Sequence, residues 1–188
     1  MALRRKSSDG SFDDPDPMMR ALYDNLLALE TKLRTLHGNA ANFVKSVNFI
    51  ALNMLTTAAN IEAFCVEDEA LRIDTKIYSK VMNEVGGRGP DTVRCHTIRN
   101  VELKVLEPLN VNLIVLQEIK ARMGQREIAR KAQRRKSIGT LFDKHKNKQV
   151  AASEFAALTQ SLFEELTTVH LHRVDFVRSP YQALKRFQ

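Results

Sequence analysis

Tryptophan is absent from the 188-residue sequence, and cysteine is nearly so. The two cysteines, Cys65 and Cys95, form no CxxC motif, so the sequence predicts neither a disulfide framework nor a structural zinc site. The longest uncharged stretch, residues 46–61, contains three asparagines and two threonines. It falls short of the roughly 20 apolar residues that span a bilayer. We therefore expect a reducing, cytoplasmic compartment and no transmembrane helix.

Groups for catalysis or metal binding are few and scattered. His170 and His172 are two residues apart, a spacing that places them on different faces of a helix, and the other three histidines have no partner at ligand spacing. Glu164 and Glu165 form a carboxylate pair that we expect to face solvent. The sequence therefore predicts no metal site, no cofactor and no enzymatic activity.

Residues 1–17 differ in composition from the rest of the chain. They are rich in Asp, Pro and Ser and contain little to bury, so we predict a disordered N-terminal arm. The chain as a whole is 44% apolar and 27% charged, which is typical of a sequence that buries a core. We expect a single helical domain over residues 18–188.

A heptad stripe marks the first long helix. Its positions alternate by four and three residues over more than five heptads, which predicts coiled-coil packing. Because charge is absent between residues 46 and 61, we predict that the second half of this helix is buried against a second copy of the chain. The stripe consists of Leu22, Leu26, Leu29, Leu33, Leu36, Ala40, Phe43, Val47, Ile50, Met54, Thr57 and Ile61. The predicted dimer interface consists of Phe43, Val47, Ile50, Met54 and Ile61.

Two more long helices follow a brief one that ends at the "GGRGP" turn, residues 86–90. Asp91 or Thr92 is the expected cap of the second long helix, and Pro108 is expected to kink it without ending it. The third is predicted from about residue 150 to residue 187, with a kink or a new start at Ser179 and Pro180. No segment has a strand pattern. The predicted fold is all-α, an antiparallel three-helix coiled coil of long kinked helices.

Residues 120–148 contain the strongest charge signal of the sequence. Eleven Lys or Arg face only Glu127 and Asp143, a net charge of 11 − 2 = +9, whereas the whole chain is +7. Four arginines recur every fourth residue as a ridge, from Arg122 to Arg134. Such a local excess indicates an anionic partner: nucleic acid, an anionic lipid surface or an acidic protein. The candidate anion-binding residues are Lys120, Arg122, Arg126, Arg130, Lys131, Arg134, Arg135, Lys136, Lys144, Lys146 and Lys148.

Two segments resemble helices of the BAR (Bin/amphiphysin/Rvs-type) membrane-curvature domains. The segment around "VLEPL", residues 105–109, resembles the second BAR helix, in which a similar step leads into a basic distal half. The segment "FEELTTVHLHRVDFVRSPYQAL", residues 163–184, is similar to the third. With the heptad helix, the resemblance extends over about residues 18–188.

The resemblance implies a crescent-shaped homodimer whose basic concave face and tips bind anionic, curved membrane, as in endocytosis and membrane trafficking. The protein would then be cytoplasmic and peripheral on membranes. Unspecific nucleic-acid binding is the alternative, although residues 118–148 contain only Phe142 for base stacking. Docking of a small GTPase, which some BAR-like crescents perform on their concave face, is a further alternative.

The tetrapeptide "RRKS" occurs twice, ending at Ser7 and at Ser137. It resembles the substrate pattern of basophilic kinases, so both serines are candidate phosphorylation sites. A phosphate adds about −1.5 to −2 charges at pH 7. We predict that phosphorylation of Ser137, next to the arginine ridge, weakens binding to anionic lipid and that phosphorylation of Ser7 matters much less.

Overall fold

The computed structural model describes residues 16–136 and 145–186, and within these ranges the chain is all-helical, with no strand. Four of its helices are long, so the described chain has one long helix more than the three that the sequence predicts. The helices, numbered in chain order, are α1 (Pro17–Phe64), α2 (Glu69–Gly86), α3 (Val93–Val101), α4 (Glu107–Lys136), α5 (His145–Leu171) and α6 (Asp175–Lys185).

Helix α1 confirms the long first helix and extends beyond both ends of the heptad stripe. The Asp16 side chain accepts hydrogen bonds from the backbone amides of Met18 (2.9 Å) and Met19 (3.4 Å), and Pro17 occupies the first turn, where its missing amide has no cost. The helix therefore starts where a capping carboxylate and a proline meet.

Capping side chains also start α2 and α3. The Asp68 side chain accepts from the amides of Ala70 and Leu71, so α2 begins at Glu69. Thr92 caps α3, as predicted, and accepts from the amide of Cys95. The glycine-rich turn between the two helices is also confirmed.

A π-helical turn, Glu102–Leu106, joins α3 to α4 immediately before Pro108. The amide of Glu107 donates to the carbonyl of Glu102, five residues earlier, in place of the usual four. A wide turn of this kind lets a helix continue past a residue that lacks an amide hydrogen. The prediction that Pro108 does not end the helix is confirmed.

The predicted third helix is interrupted earlier than expected, between α5 and α6 at residues 172–174. Pro180 lies inside α6 and is fully buried. A proline leaves the carbonyl four residues before it without a helical donor, which here is the carbonyl of Phe176. The side-chain amide of Asn112 donates to that carbonyl at 2.8 Å. This long-range hydrogen bond explains why a proline is tolerated within the helix.

The chain divides into two compact units, and each has its own core. The first unit contains the chain up to Lys32 together with Leu113–Val174. Large apolar side chains from three helices fill its core. From α1 these are Met19, Leu22 and Leu26; from α4, Leu113, Leu116, Ile119 and Met123; and from α5, Leu162, Leu166 and Val169.

The second unit contains Leu33–Asn112 and the chain from Asp175 onward, and its buried positions on α1 are mostly small. Beyond Leu33, the buried apolar side chains of α1 are alanines at positions 40, 51 and 58. A Cβ atom on Gly86 would lie 3.2 Å from the carbonyl oxygen of Ala51, so α1 and the end of α2 pack closely through small residues. The remaining core comes from Val101, Val105, Leu109 and Pro180.

Candidate functional site

The first cations of the basic segment face acidic and polar groups of the first unit. Lys120 donates to Glu30 at 2.6 Å, and the side chain of Glu30 is only 7% exposed. Arg122 forms an ion pair with Glu165 and donates to Ser161 at 2.9 Å. A buried carboxylate needs such a partner, because burying an unpaired charge is costly. These two cations therefore hold α1, α4 and α5 together.

Arg126 is buried, with 4% of its surface exposed. Its Nε donates to the Thr159 hydroxyl at 3.0 Å, and its guanidinium carbon lies 5.4 Å from the centre of the Phe155 ring. The prediction of a solvent-facing arginine ridge is wrong at this position. The physical reason is that a four-residue period places Arg126 in line with Arg122, toward α5, and the cationic group is stabilised there by an aromatic face and a hydroxyl.

Glu127 lies between two groups of candidate cations. The inner cations are Lys120, Arg122 and Arg126, and the outer ones begin at Lys131. It pairs with Arg130 at 2.8 Å and with Lys131 at 3.5 Å. The hydrogen bond from Arg130 and the charges of both cations hold the pKa of Glu127 below its ordinary value. The Arg130 side chain is 13% exposed, whereas that of Lys131 is 65% exposed. Lys131 is therefore the first candidate cation of α4 that is mostly open to solvent.

The remaining candidate cations lie beyond Lys131. The backbones of Arg134, Arg135 and Lys136 continue α4, and those of Lys146 and Lys148 belong to α5, while the structure describes none of their side chains. Lys144 and the two candidate phosphorylation sites, Ser7 and Ser137, lie outside the described residues. The predictions made for these eight residues stay predictions.

The residues of the predicted dimer interface lie along α1 in the second unit. Phe43, Ile50 and Ile61 are 43%, 57% and 39% exposed, and Val47 and Met54 are half-buried. The buried residues of this part of α1 are Ala51 and Ala58, each one residue after a stripe position, Ile50 or Thr57.

A shallow apolar groove of 190 Å³ lies beside this stripe. Its walls come from α1, the end of α2 and the start of α3. At its edge the Nε of Arg94 is buried without a hydrogen-bond partner among the described residues. The lining residues are Val47, Ile50, Ala51, Met54, Val85, Gly86, Val93, Arg94 and Thr97.

Other reactive groups form no second site in the described ranges. No cluster of three or more His, Cys, Asp or Glu suited to a metal ion occurs there. Both cysteines are free thiols, and hydrogen bonds with Thr92 and Arg94 lower the pKa of Cys95. His170 lies near the end of α5 and His172 in the following turn. Within the described part of the chain, no helix is long and apolar enough to cross a membrane.

The sequence analysis missed the acceptors that surround the inner cations. Glu30, Glu165 and Thr159 come from positions that lack a local motif, because their partners on α4 are between 33 and 90 residues away in sequence. Two signals were available: Glu30 is a charged residue directly after a stripe position, and Glu165 belongs to the carboxylate pair that was expected to face solvent. Glu165 is instead ion-paired with Arg122.

No family model, curated protein or solved structure matches the chain.

Proposed function

We propose that the protein is a homodimeric scaffold that binds anionic membrane surfaces through the outer part of its basic segment. In this proposal the protein forms the crescent-shaped homodimer of three-helix protomers that the BAR resemblance implies. The protein is peripheral on the membrane and performs no catalysis.

The partition of cations along α4 carries this proposal. Lys120, Arg122, Arg126 and Arg130 are engaged by groups of the first unit, whereas Lys131 is mostly exposed. From Lys131 to Lys148 the sequence contains seven Lys or Arg and one acidic residue, a net charge of 7 − 1 = +6. The outer segment, residues 131–148, therefore has a net charge of +6 in addition to the cations that contact groups of the first unit.

The magnitudes favour a membrane surface as the partner. Each Lys or Arg near an anionic leaflet contributes about 1 kcal/mol, so four engaged cations per protomer supply about 4 kcal/mol. Linking two such sites in a dimer raises the avidity without any new contact. No lipid pocket is required, and the lack of aromatic residues for base stacking disfavours a nucleic acid.

In this proposal a second copy of the chain binds the outer face of α1, which carries the exposed stripe residues Phe43, Ile50 and Ile61. These three are exposed positions of the heptad stripe, and no charge lies between residues 46 and 61. A neutral, self-complementary stripe suits a two-fold symmetric contact, because like charges do not face one another across the axis.

Vesicle co-sedimentation across a salt series tests the lipid part of the proposal. The test variant reverses Lys131, Lys146 and Lys148 to Glu. Its matched control reverses three exposed lysines elsewhere, Lys32, Lys45 and Lys185, so both variants change the net charge equally.

We expect the wild type and the control to sediment with anionic vesicles and not with neutral ones. The test variant should bind at least tenfold more weakly at low salt, since three reversed cations remove several kcal/mol. An equal loss of vesicle binding in both variants would show that binding depends on net charge alone. Tighter binding to duplex DNA than to the vesicles would favour the nucleic-acid alternative.

A further inference from the structure

Helix α2 packs on the second unit with its small and polar side chains. Thr75 and Gly86 are its buried residues, and Ser79, one turn after Thr75, donates to Glu62 of α1 at 2.9 Å. Thr75, Ser79, Met82 and Gly86 follow one another at helical spacing and form one face. The inner face of this helix therefore consists mostly of small and polar residues, with Met82 as its large apolar member.

Three branched apolar side chains of α2 point away from that inner face. Ile73 and Ile77 are 57% and 59% exposed, and Val81 is 43% exposed. At 100° per residue these three lie about 160–240° around the helix from Thr75, on the opposite side. Helix α2 thus has an apolar stripe on the side that faces away from the unit, whereas a helix that only covers a core turns its apolar face inward.

Cations flank the outer apolar stripe on one side. Arg72, Lys76 and Lys80 are all exposed and recur every four residues, so each immediately precedes one residue of the stripe. Arg72 also pairs with Glu69 at 3.3 Å, and that glutamate is 83% exposed. Asp74 lies on the other flank, and Glu84 ends the stripe one turn beyond Val81. The apolar stripe therefore extends over about two turns beside a row of positive charge.

We infer that α2 is an interfacial membrane helix, whose outer stripe enters the boundary between lipid headgroups and acyl chains. Helices that lie in this boundary combine an apolar face with basic residues beside it. The charge pattern distinguishes this face from the outer face of α1, where the central stripe is uncharged and suits a second copy. The inference rests on the proposed function and assigns to it a second, apolar contact with an anionic bilayer.

The apolar contact predicts a component of binding that survives high salt. Attraction between charges is screened above physiological ionic strength, whereas burial of apolar surface is not. The test variant is Ile73→Ser with Ile77→Ser. Its matched control is Leu103→Ser with Val111→Ser, two residues of the same unit that are 52% and 55% exposed and lie outside α2.

Binding of the full chain to vesicles of mixed neutral and anionic phospholipid is measured at low and at 0.5 M salt, about three times physiological ionic strength. Each Ile→Ser change removes three carbon atoms' worth of apolar surface, so at high salt we expect the test variant to bind about tenfold or more weakly than wild type. The control should bind like wild type.

Because the sequence contains no tryptophan, the fluorescence of one introduced indole gives an independent test of membrane contact. Ile77→Trp introduces a single indole on the outer stripe, and Leu103→Trp places one elsewhere in the same unit. On adding vesicles, we expect a blue shift and protection from an aqueous quencher at position 77 and neither at position 103.

The outcomes separate the inference from the function on which it rests. If wild type binds anionic vesicles and the Ile73/Ile77 variant binds equally well at high salt, the inference is overturned and the basic surface stands. If that variant lowers the molar mass of the free protein, the stripe belongs to a second copy, which also overturns it. If wild type binds no vesicle at any salt, the proposed function and the inference fail together.

Discussion

The two compact units differ in what they bury and in what they expose. The first fills its core with large aliphatic side chains from three helices and adds charged groups that are paired. In the second, α1 buries mainly alanine beyond Leu33, while Phe49, Ile50, Phe64 and other large apolar side chains are exposed. Phe64 is 90% exposed.

This difference indicates that the units have different dependence on a partner. Exposed large apolar side chains are more numerous in the second unit, although the first also exposes some, such as Ile128 at 70% and Leu171 at 68%. Exposed apolar groups that lie together mark interaction surfaces. Charge follows the opposite distribution, because the described residues of the basic segment, 120–136 and 145–148, belong to the first unit. In the proposed function, electrostatic binding therefore belongs to the first unit and apolar association to the second.

The largest expected effect comes from the same substitution in the two units. Leu116 is fully buried in the first unit, and Leu52 is 44% exposed in the second. Leu116→Ala should lower the free energy of unfolding by about 3 kcal/mol, and Leu52→Ala by under about 1 kcal/mol, because only the former leaves a cavity. Urea unfolding followed by circular dichroism measures both. Similar losses at the two sites would remove the contrast between the units.

Removal of a buried cation has the next largest effect. Arg126→Ala removes the contacts with Thr159 and Phe155 and should cost about 2 kcal/mol of stability. Lys131→Ala, five residues further along α4 at an exposed position, should change stability by under about 0.5 kcal/mol. Thermal unfolding of the two variants decides whether these cations have separate roles. Charge reversal of Arg126 would disrupt the first unit, so it is unsuitable as a test of lipid binding.

A double-mutant cycle tests the hydrogen bond that stabilises α6 in the second unit. Asn112→Ala should cost about 1 kcal/mol, because the Phe176 carbonyl loses its donor. In a Pro180→Ala background, residue 180 regains an amide that can donate to the same carbonyl. The cost of Asn112→Ala should then fall to less than half. Equal costs in both backgrounds would show that Asn112 acts independently of the proline.

The smallest expected effect is on the acid sensitivity of the first unit. Arg130 lowers the pKa of Glu127 below its ordinary value of 4.5, so the ionised carboxylate stabilises the fold. This contribution is complete above pH 4.5 and is lost as the pH falls through the lower, folded-state pKa. Glu127→Gln should flatten the decline of melting temperature below that pH, and Glu154→Gln, an exposed change in the same unit, should not. An unchanged profile in Glu127→Gln would assign the acid sensitivity to other groups.

Local patterns predicted the helices well. The heptad stripe located α1, Thr92 located the start of α3, and the glycine-rich segment located the turn before it. The break at residues 172–174 was missed, because Pro180 is the stronger local signal, and the hydrogen bond that tolerates it comes from Asn112, 64 residues away.

The direction in which side chains point was less predictable. A row of arginines reads as solvent-exposed until the acceptors on other helices are known, and Glu30, Glu165 and Thr159 have no motif of their own. For α2, periodicity gives the width of an apolar face and not what that face contacts.

The molar mass of the free protein, measured by light scattering at micromolar concentration, tests most directly whether the second unit needs a partner. The account predicts a dimer of 2 × 21.4 = 42.8 kDa for the wild type. Ile50→Glu with Met54→Glu places charge on the outer face of α1 and should give monomers or aggregates, whereas the basic-segment variant with Lys131, Lys146 and Lys148 reversed should remain dimeric. A wild type of 21.4 kDa would contradict the account.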